Sequence, residues 1–258
     1  MAKDEKERYN ANSLVRGLEI LKLFNEERST MSLAEIAKEL DVSRTVPYRL
    51  LYTLQTLGYL HQDEHTKRYN LTPKVLELGF AYLKSLKLPE ISQPYLEELR
   101  DSTGASCHLS ILDDDEVVYI GSAPVRGVSA INVNIGLRLP AHATANGKLL
   151  LANQPVEKLN RTVYGSNLKP YTDKTQTDLA GFYDELETIR KQGYAVSVGE
   201  FHQGIQSVAA PILDRSGHVI AAINVVATDV TFHSEFIEKI ALPKVIDTAK
   251  VLSGFMGY

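Results

Sequence analysis

The residues best equipped for chemistry lie between Ser43 and Gly58. Thr45, Tyr48, Arg49 and Tyr52 recur at i, i+3, i+4 and i+7, Arg44 stands at the entry, and the stretch holds two arginines and no acid. On a helix these side chains share one face, which offers hydroxyl, phenol and guanidinium groups. Such groups hydrogen-bond the base edges and phosphates of double-stranded DNA, which would repel a carboxylate. Ser43, Arg44, Thr45, Tyr48, Arg49 and Tyr52 are therefore the candidate DNA contacts. The plain alternative is a solvated helix face, but ordinary surface helices mix acids with bases. Other chemistry is thinly supplied. The single cysteine, Cys107, is adjacent to His108, so on a strand the two point to opposite faces. No nucleophile elbow, phosphate loop or metal-ligand cluster stands out, so no catalytic residue, metal or cofactor is assigned and an enzyme is not expected. His142 reads as a residue that orients the turn before a helix.

The elements that must position this face are legible around it. Ser32 and Glu35 form a capping box, and Leu33, Ile36, Ala37 and Leu40 give the following helix one apolar side. After a three-residue turn, a second helix places Leu50, Leu51, Leu54 and Leu57 inward, and Gly58 stands at the C′ position. Pro47 must lie in the first turn of that helix, with Arg44 or Thr45 as its cap. Two short helices joined by so tight a turn are a helix-turn-helix. Ser13 is expected to cap an earlier helix with Leu14, Leu18, Leu21 and Phe24 on its core side, and Arg16 on its polar side can reach a phosphate. Tyr59–Gln62 and Arg68–Leu71 alternate around a polar tip and read as a β-hairpin wing. Lys67 and Arg68 could reach the DNA backbone from it, a signal weakened by Asp63 and Glu64.

Over 258 residues the net charge is -4, while residues 1–70 carry 11 basic and 11 acidic side chains. A neutral N-terminal part with one locally basic helix suits sequence-specific contact better than bulk adhesion to polyanions. One cysteine excludes an intramolecular disulfide framework and fits a reducing cytoplasm. No signal peptide or membrane-spanning apolar run is present in the sequence. Met1 to Asn10 is charged and expected to be disordered. Thr72-Pro73 opens a segment, Val75–Leu83, that is apolar nearly all round and must be covered, most simply by a second copy of the chain. Leu88-Pro89 is expected to end it. The domains are then 12–71, a winged helix-turn-helix; 72–88, a linker helix; and 89–258.

Beyond the linker the pattern is α+β. Pro94 is expected to open a helix closed by Thr103-Gly104. Strands are expected at Cys107–Leu112, Val117–Ile120, Ala130–Ile135, Tyr194–Val198, Gln206–Leu213 and His218–Val226. Helices are expected to run up to Ala152, along Leu179, Phe182, Leu186 and Ile189, and from Ser234, where Pro243 should kink or divide the last one. Hairpin-linked strands with flanking helices imply one mostly antiparallel sheet.

Taken together, the chain resembles the IclR family of bacterial transcription regulators along nearly its full length. The matching N-terminal segments are Ser13-Leu-Val-Arg-Gly-Leu-Glu-Ile-Leu, Leu33-Ala-Glu-Ile-Ala, Arg49-Leu-Leu-Tyr-Thr-Leu and Gly58-Tyr-Leu. The C-terminal ones are Thr103-Gly104, Val117-Val-Tyr-Ile, Ile135-Gly-Leu-Arg-Leu-Pro-Ala-His-Ala-Thr-Ala-Asn-Gly-Lys and Ser207-Val-Ala-Ala-Pro-Ile. Two features depart from the family pattern: Pro47, and the glycine-free Asp113–Glu116 turn. The resemblance implies a winged helix-turn-helix, a linker helix used in dimer formation, and a GAF/PAS-like effector-binding domain. It implies a ligand-responsive regulator that binds a pseudo-palindromic operator as a homodimer or tetramer. Effector contacts are implied for Ala145, Asn146, Ser197, Ile205, Ser207, Asn224 and Val226, with Ile131 and Leu139 on the apolar side. The free amides at the start of the helix near Thr144 would favour a carboxylate. The rivals are a hydrolase-like domain fused to the winged helix, for which no nucleophile with a base is found, and a protein-assembly module, which would need an apolar outer face on the Arg44–Gln55 helix.

Overall fold

The structure, a computed structural model, describes residues 10–125, 133–165, 168–228 and 233–258. Nearly all of the charged N-terminal segment, Ile131 and the first half of the strand expected over Ala130–Ile135 lie outside the described residues. The chain divides into two compact units, the first ending at Ser85 and the second beginning at Leu86.

In the first unit, α1 (Asn12–Lys22), α2 (Leu33–Glu39) and α3 (Thr45–Thr56) precede a hairpin of β1 (Leu60–Gln62) and β2 (Tyr69–Leu71). The capping box forms: the Ser32 hydroxyl accepts the Glu35 amide at 3.3 Å, and the Ser32 amide donates to Glu35 at 2.7 Å. Both helices of the motif stop in the same way. At the end of α2, Asp41 takes φ +50°, its amide meets the Lys38 carbonyl, and the Val42 amide meets that of Ala37. At the end of α3, Gly58 takes φ +79°, with its amide on Gln55 and the Tyr59 amide on Leu54. Each is a Schellman turn, one built on glycine and the other on an aspartate in the left-handed region. Ile20, Phe24, Met31, Ile36, Leu51, Leu60 and Tyr69 form the core.

Pro47 is buried in the first turn of α3 behind the Arg44 N-cap, where its missing amide costs no helical bond. It shares the inner face with Leu50, Leu51 and Leu54. Leu57, expected inside, is exposed: it is the C-cap, and the chain turns away at the next residue. The first helix also differs from expectation. It starts at Asn12 behind Ala11 rather than at a Ser13 cap, its exposed end needing no side-chain partner. Its core side is Ile20, Leu21 and Phe24, while Leu14 and Leu18 face solvent.

The hairpin pairs antiparallel, Leu60 with Leu71 and Gln62 with Tyr69, and Tyr69 bonds back to Met31, tying the wing to the segment before α2. After Thr72 caps a 3-10 turn, α4 (Leu76–Ser85) carries Leu76, Leu78, Phe80 and Tyr82 in full view of solvent. The break after it falls at the extended residue Leu86, not at Leu88-Pro89. Those two residues lie in the first turn of α5 (Lys87–Thr103), where proline is tolerated, and Pro94 sits inside that helix rather than opening it.

The second unit is a six-stranded antiparallel sheet of order β5-β4-β3-β8-β7-β6. Its strands are β3 (Ser106–Asp113), β4 (Glu116–Ala123), β5 (Arg138–Pro140), β6 (Ala195–Val198), β7 (Ile205–Leu213) and β8 (Val219–Thr228). The edge strand beside β4 is thus β5, with β6 at the opposite edge; Val133–Ile135 is not a strand. On one face pack α5 and α10 (Leu242–Phe255), on the other α6 (Ala145–Ala152) and α8 (Leu179–Gln192). Between these last two lies α7 (Val156–Gly165), which sequence reading left out and which buries Leu159 and Val163. Pro243 does divide the final helix: a short α9 (Ser234–Phe236) and a π turn over Ile237–Ala241 precede it. Arg138 joins both ends of the acidic β3–β4 turn, at 2.7 Å from Asp113 and 2.6 Å from Glu116.

Candidate functional site

On the first unit, Ser43, Arg44, Thr45, Tyr48, Arg49 and Tyr52 are all exposed on or beside α3, the two tyrosines by more than half. Arg16, half-buried on α1, borders a groove with Thr45, Arg49 and Thr53, so two guanidinium groups flank one surface depression. Lys67 stands exposed at the wing tip with φ +56°. Arg68 is placed differently from expectation. Its guanidinium pairs with Glu35 at 2.9 Å and donates to the Thr30 hydroxyl and carbonyl, each at 3.0 Å. That pairing and the bond from the Ser32 amide, the larger effect, hold the Glu35 carboxyl below its ordinary range. Arg68 therefore fastens the wing to the capping box through a partly exposed pair. His61 and His65, four residues apart on the wing, gather no third ligand; among the described residues no cluster of three or more ligating side chains forms.

In the second unit, one face of the sheet floors a cavity. Strand alternation directs Ser106 and His108 of β3, Asn224, Val226 and Thr228 of β8, Ile205 and Ser207 of β7, and Ser197 of β6 to the same side. The register aligns them, with His108 opposite Asn224 and Ser207 between Ser197 and Val226. Tyr119, Val133, Leu139 and Phe201 supply apolar walls, and Ala145 and Asn146 bring the buried start of α6 into the lining. That helix start is held tightly down: a Cβ on Gly147 would fall 2.1 Å from the Ala141 carbonyl oxygen. Thr144 accepts the Gly147 amide at 3.2 Å, while the amides of Ala145 and Asn146 precede any intrahelical partner. Eight of the nine residues named for the effector thus line one cavity; the ninth, Ile131, is outside the described residues.

The polar groups in the cavity are incompletely answered. Asn146 donates to Ser110 at 2.7 Å and Asn224 donates to Ser207 at 3.1 Å. The Oδ1 atoms of both asparagines, and Nδ1 of His108, are buried without a hydrogen-bond partner. Such atoms are costly unless something else meets them. Burial pushes the His108 imidazole down to about 4 against a smaller upward pull from Asn224, and raises the Tyr119 phenol. Both rings, 5.6 Å apart edge to face, are therefore neutral near pH 7. Sequence reading missed His108, Tyr119 and Phe201 here. The signal for His108 existed: Ser106, His108 and Ser110 put a polar residue at every second position of a strand otherwise buried on both faces.

Two further groups support the cavity. His142 bonds the Lys169 carbonyl through Nε2 at 3.0 Å and packs on Tyr171, in keeping with a role in orienting the turn before α6. Lys148, wholly buried on α6, reaches Glu185 at 2.5 Å and Glu200 at 2.6 Å. Cys107 faces away from the cavity, and burial pushes its thiol up to about 12.

A winged helix-turn-helix with an acid-free exposed helix has the features of a DNA-binding regulator, and the second unit adds a polar-floored cavity. Comparison with known proteins agrees. The model "IclR helix-turn-helix domain" matches residues 13–64, and "Bacterial transcriptional regulator IclR C-terminal" matches residues 80–254. The chain belongs to the IclR family of transcription regulators. It is 37% identical to the Pca regulon regulatory protein of Pseudomonas putida over 214 residues, 83% of this chain and 73% of that protein. A transcriptional regulator of Rhodococcus sp. RHA1 superposes with TM-score 0.85 at 33% identity, covering 96% of this chain and 98% of the other. A double mutant of the PobR inducer-binding domain from Acinetobacter, solved with 3-hydroxybenzoic acid, gives TM-score 0.61 at 29% identity over 65% of this chain and 98% of its own.

Proposed function

We propose that the protein binds a pseudo-palindromic operator as a dimer or tetramer and changes its grip on that DNA when a small organic carboxylate enters the cavity. The observation that carries this reading is the pair of amides, Ala145 and Asn146, that open α6 at the wall of an apolar-sided cavity and precede any intrahelical partner. Amides there attract an anion, and apolar walls with a few convergent polar groups suit a small organic skeleton. The ring acid bound to PobR supports the same class. The exposed apolar side of α4 favours a second copy of the chain as its cover, and two-fold symmetry would then be matched by paired half-sites. Ser43, Arg44, Thr45, Tyr48, Arg49 and Tyr52 are the proposed contacts, with Arg16 and Lys67 reaching the backbone. The effector alters DNA affinity only by favouring one of two arrangements of the protein.

The test is fluorescence anisotropy on DNA upstream of the protein's own coding sequence, with and without benzoate-type acids. Wild-type affinity should shift with the acid. Ser207→Leu should fill the cavity and abolish that shift while leaving DNA binding in place. Calorimetry showing wild-type acid affinity in Ser207→Leu would move the ligand site elsewhere.

A further inference from the structure

An ionised carboxylate only accepts hydrogen bonds, so it can occupy the amides of Ala145 and Asn146 but cannot answer the floor beneath them. There the unpartnered Oδ1 atoms of Asn146 and Asn224 are themselves acceptors, and the buried Nδ1 of His108 stands beside them. These three side chains are 0%, 4% and 2% exposed, so bulk water does not serve them. Ser110 and Ser207 accept from the asparagine amides, so neither bond answers an Oδ1 atom. What the three atoms lack is a partner that donates to the oxygens and meets Nδ1 as the imidazole tautomer demands. A hydroxyl does both. Among the described residues no acidic side chain lines the cavity to balance an ammonium, which disfavours a cationic donor. The flat walls from Tyr119 and Phe201, with Leu139 and Val226, suit a ring.

We infer that His108, with the side-chain amide of Asn224, reads a hydroxyl on the effector, making the ligand a hydroxylated ring acid rather than a plain one. The inference rests on the carboxylate reading above and adds a specificity-determining residue to it. His108 and Asn224 are cross-strand neighbours in register, so a single hydroxyl lies within reach of both. A ligand without it leaves the same atoms buried and unmet, and the penalty then falls on the complex.

Isothermal calorimetry on the full chain decides this, with benzoate, 3-hydroxybenzoate, 4-hydroxybenzoate and 4-methoxybenzoate as the acids. At least one hydroxybenzoate should bind roughly tenfold or more tighter than benzoate. The methoxy compound, which fills the same space without a proton to donate, should not share the gain. His108→Phe keeps the ring against Tyr119 and removes both nitrogens. In that variant the hydroxyl advantage, read as the ratio of hydroxybenzoate to benzoate affinity and so independent of any change in benzoate binding itself, should shrink to about twofold or less. Equal binding of benzoate and the hydroxybenzoates by the wild type overturns the inference and leaves the carboxylate reading standing. An unchanged hydroxyl advantage in His108→Phe also overturns it. Binding of none of the four acids removes the carboxylate reading and this inference with it. If His108→Phe does not fold, the wild-type comparison across the four acids still decides.

Discussion

The two units recognise in opposite ways. On α3 the groups proposed to meet DNA are exposed to water and two are cationic, with no acid among them. In the cavity the asparagines and His108 are buried and uncharged, and Lys148 on α6 is turned toward two carboxylates. The difference follows from solvation. An exposed guanidinium costs little to keep ready and gains range in the field of a polyanion. A buried charge must be paired in advance, so an interior site reads with neutral dipoles and shape.

Three substitutions probe that contrast, in falling order of effect. Lys148→Met leaves Glu200 buried without its cation and should destabilise the second unit by about 3–5 kcal/mol. Chemical denaturation followed in the separate units should show the winged helix unaffected; a loss below about 1 kcal/mol would mean that the carboxylates find water. Arg49→Ala should cost about 1–3 kcal/mol of operator affinity, concentrated at one base position, with thermal stability unchanged. Uniform loss across sequences in an anisotropy titration would make Arg49 a phosphate contact. The smallest effects separate the neighbours on the wing. Lys67→Gln should lower the salt slope of DNA binding by about 1, whereas Arg68→Gln should leave the slope alone. Arg68→Gln should instead cost the unit at most about 1 kcal/mol, as expected for a partly exposed pair. A reduced slope in Arg68→Gln would return that residue to the DNA interface.

Legibility in the sequence divides along the same line. The helix-turn-helix was readable because its signals are local: Ser32 and Glu35 are three residues apart, and Gly58 directly follows its helix. The sheet was readable where alternation and turns coincide, as from Cys107 to Ile120. What failed depended on distant partners. The pairing of Arg68 was hidden because Glu35 and Thr30 lie more than thirty residues away. Leu14 and Leu18 follow helical spacing yet lie outside, since spacing says which residues share a face and not whether anything covers it. Pro89 and Pro94 were read as boundaries, though proline in a first turn is harmless and the tertiary packing of α5 overrides the second. His108 acquires its meaning only once the register places it opposite Asn224.

The lysine on α6 has one more consequence. Its partner Glu200 sits directly before Phe201 in the cavity wall, with its backbone carbonyl held by the hydroxyls of Thr172 and Thr175. The wall is thus pinned from behind by residues that do not line the cavity. Substitutions at Ser197 or Val226 should leave that anchor in place, since its ion pairs and hydrogen bonds are made by other residues.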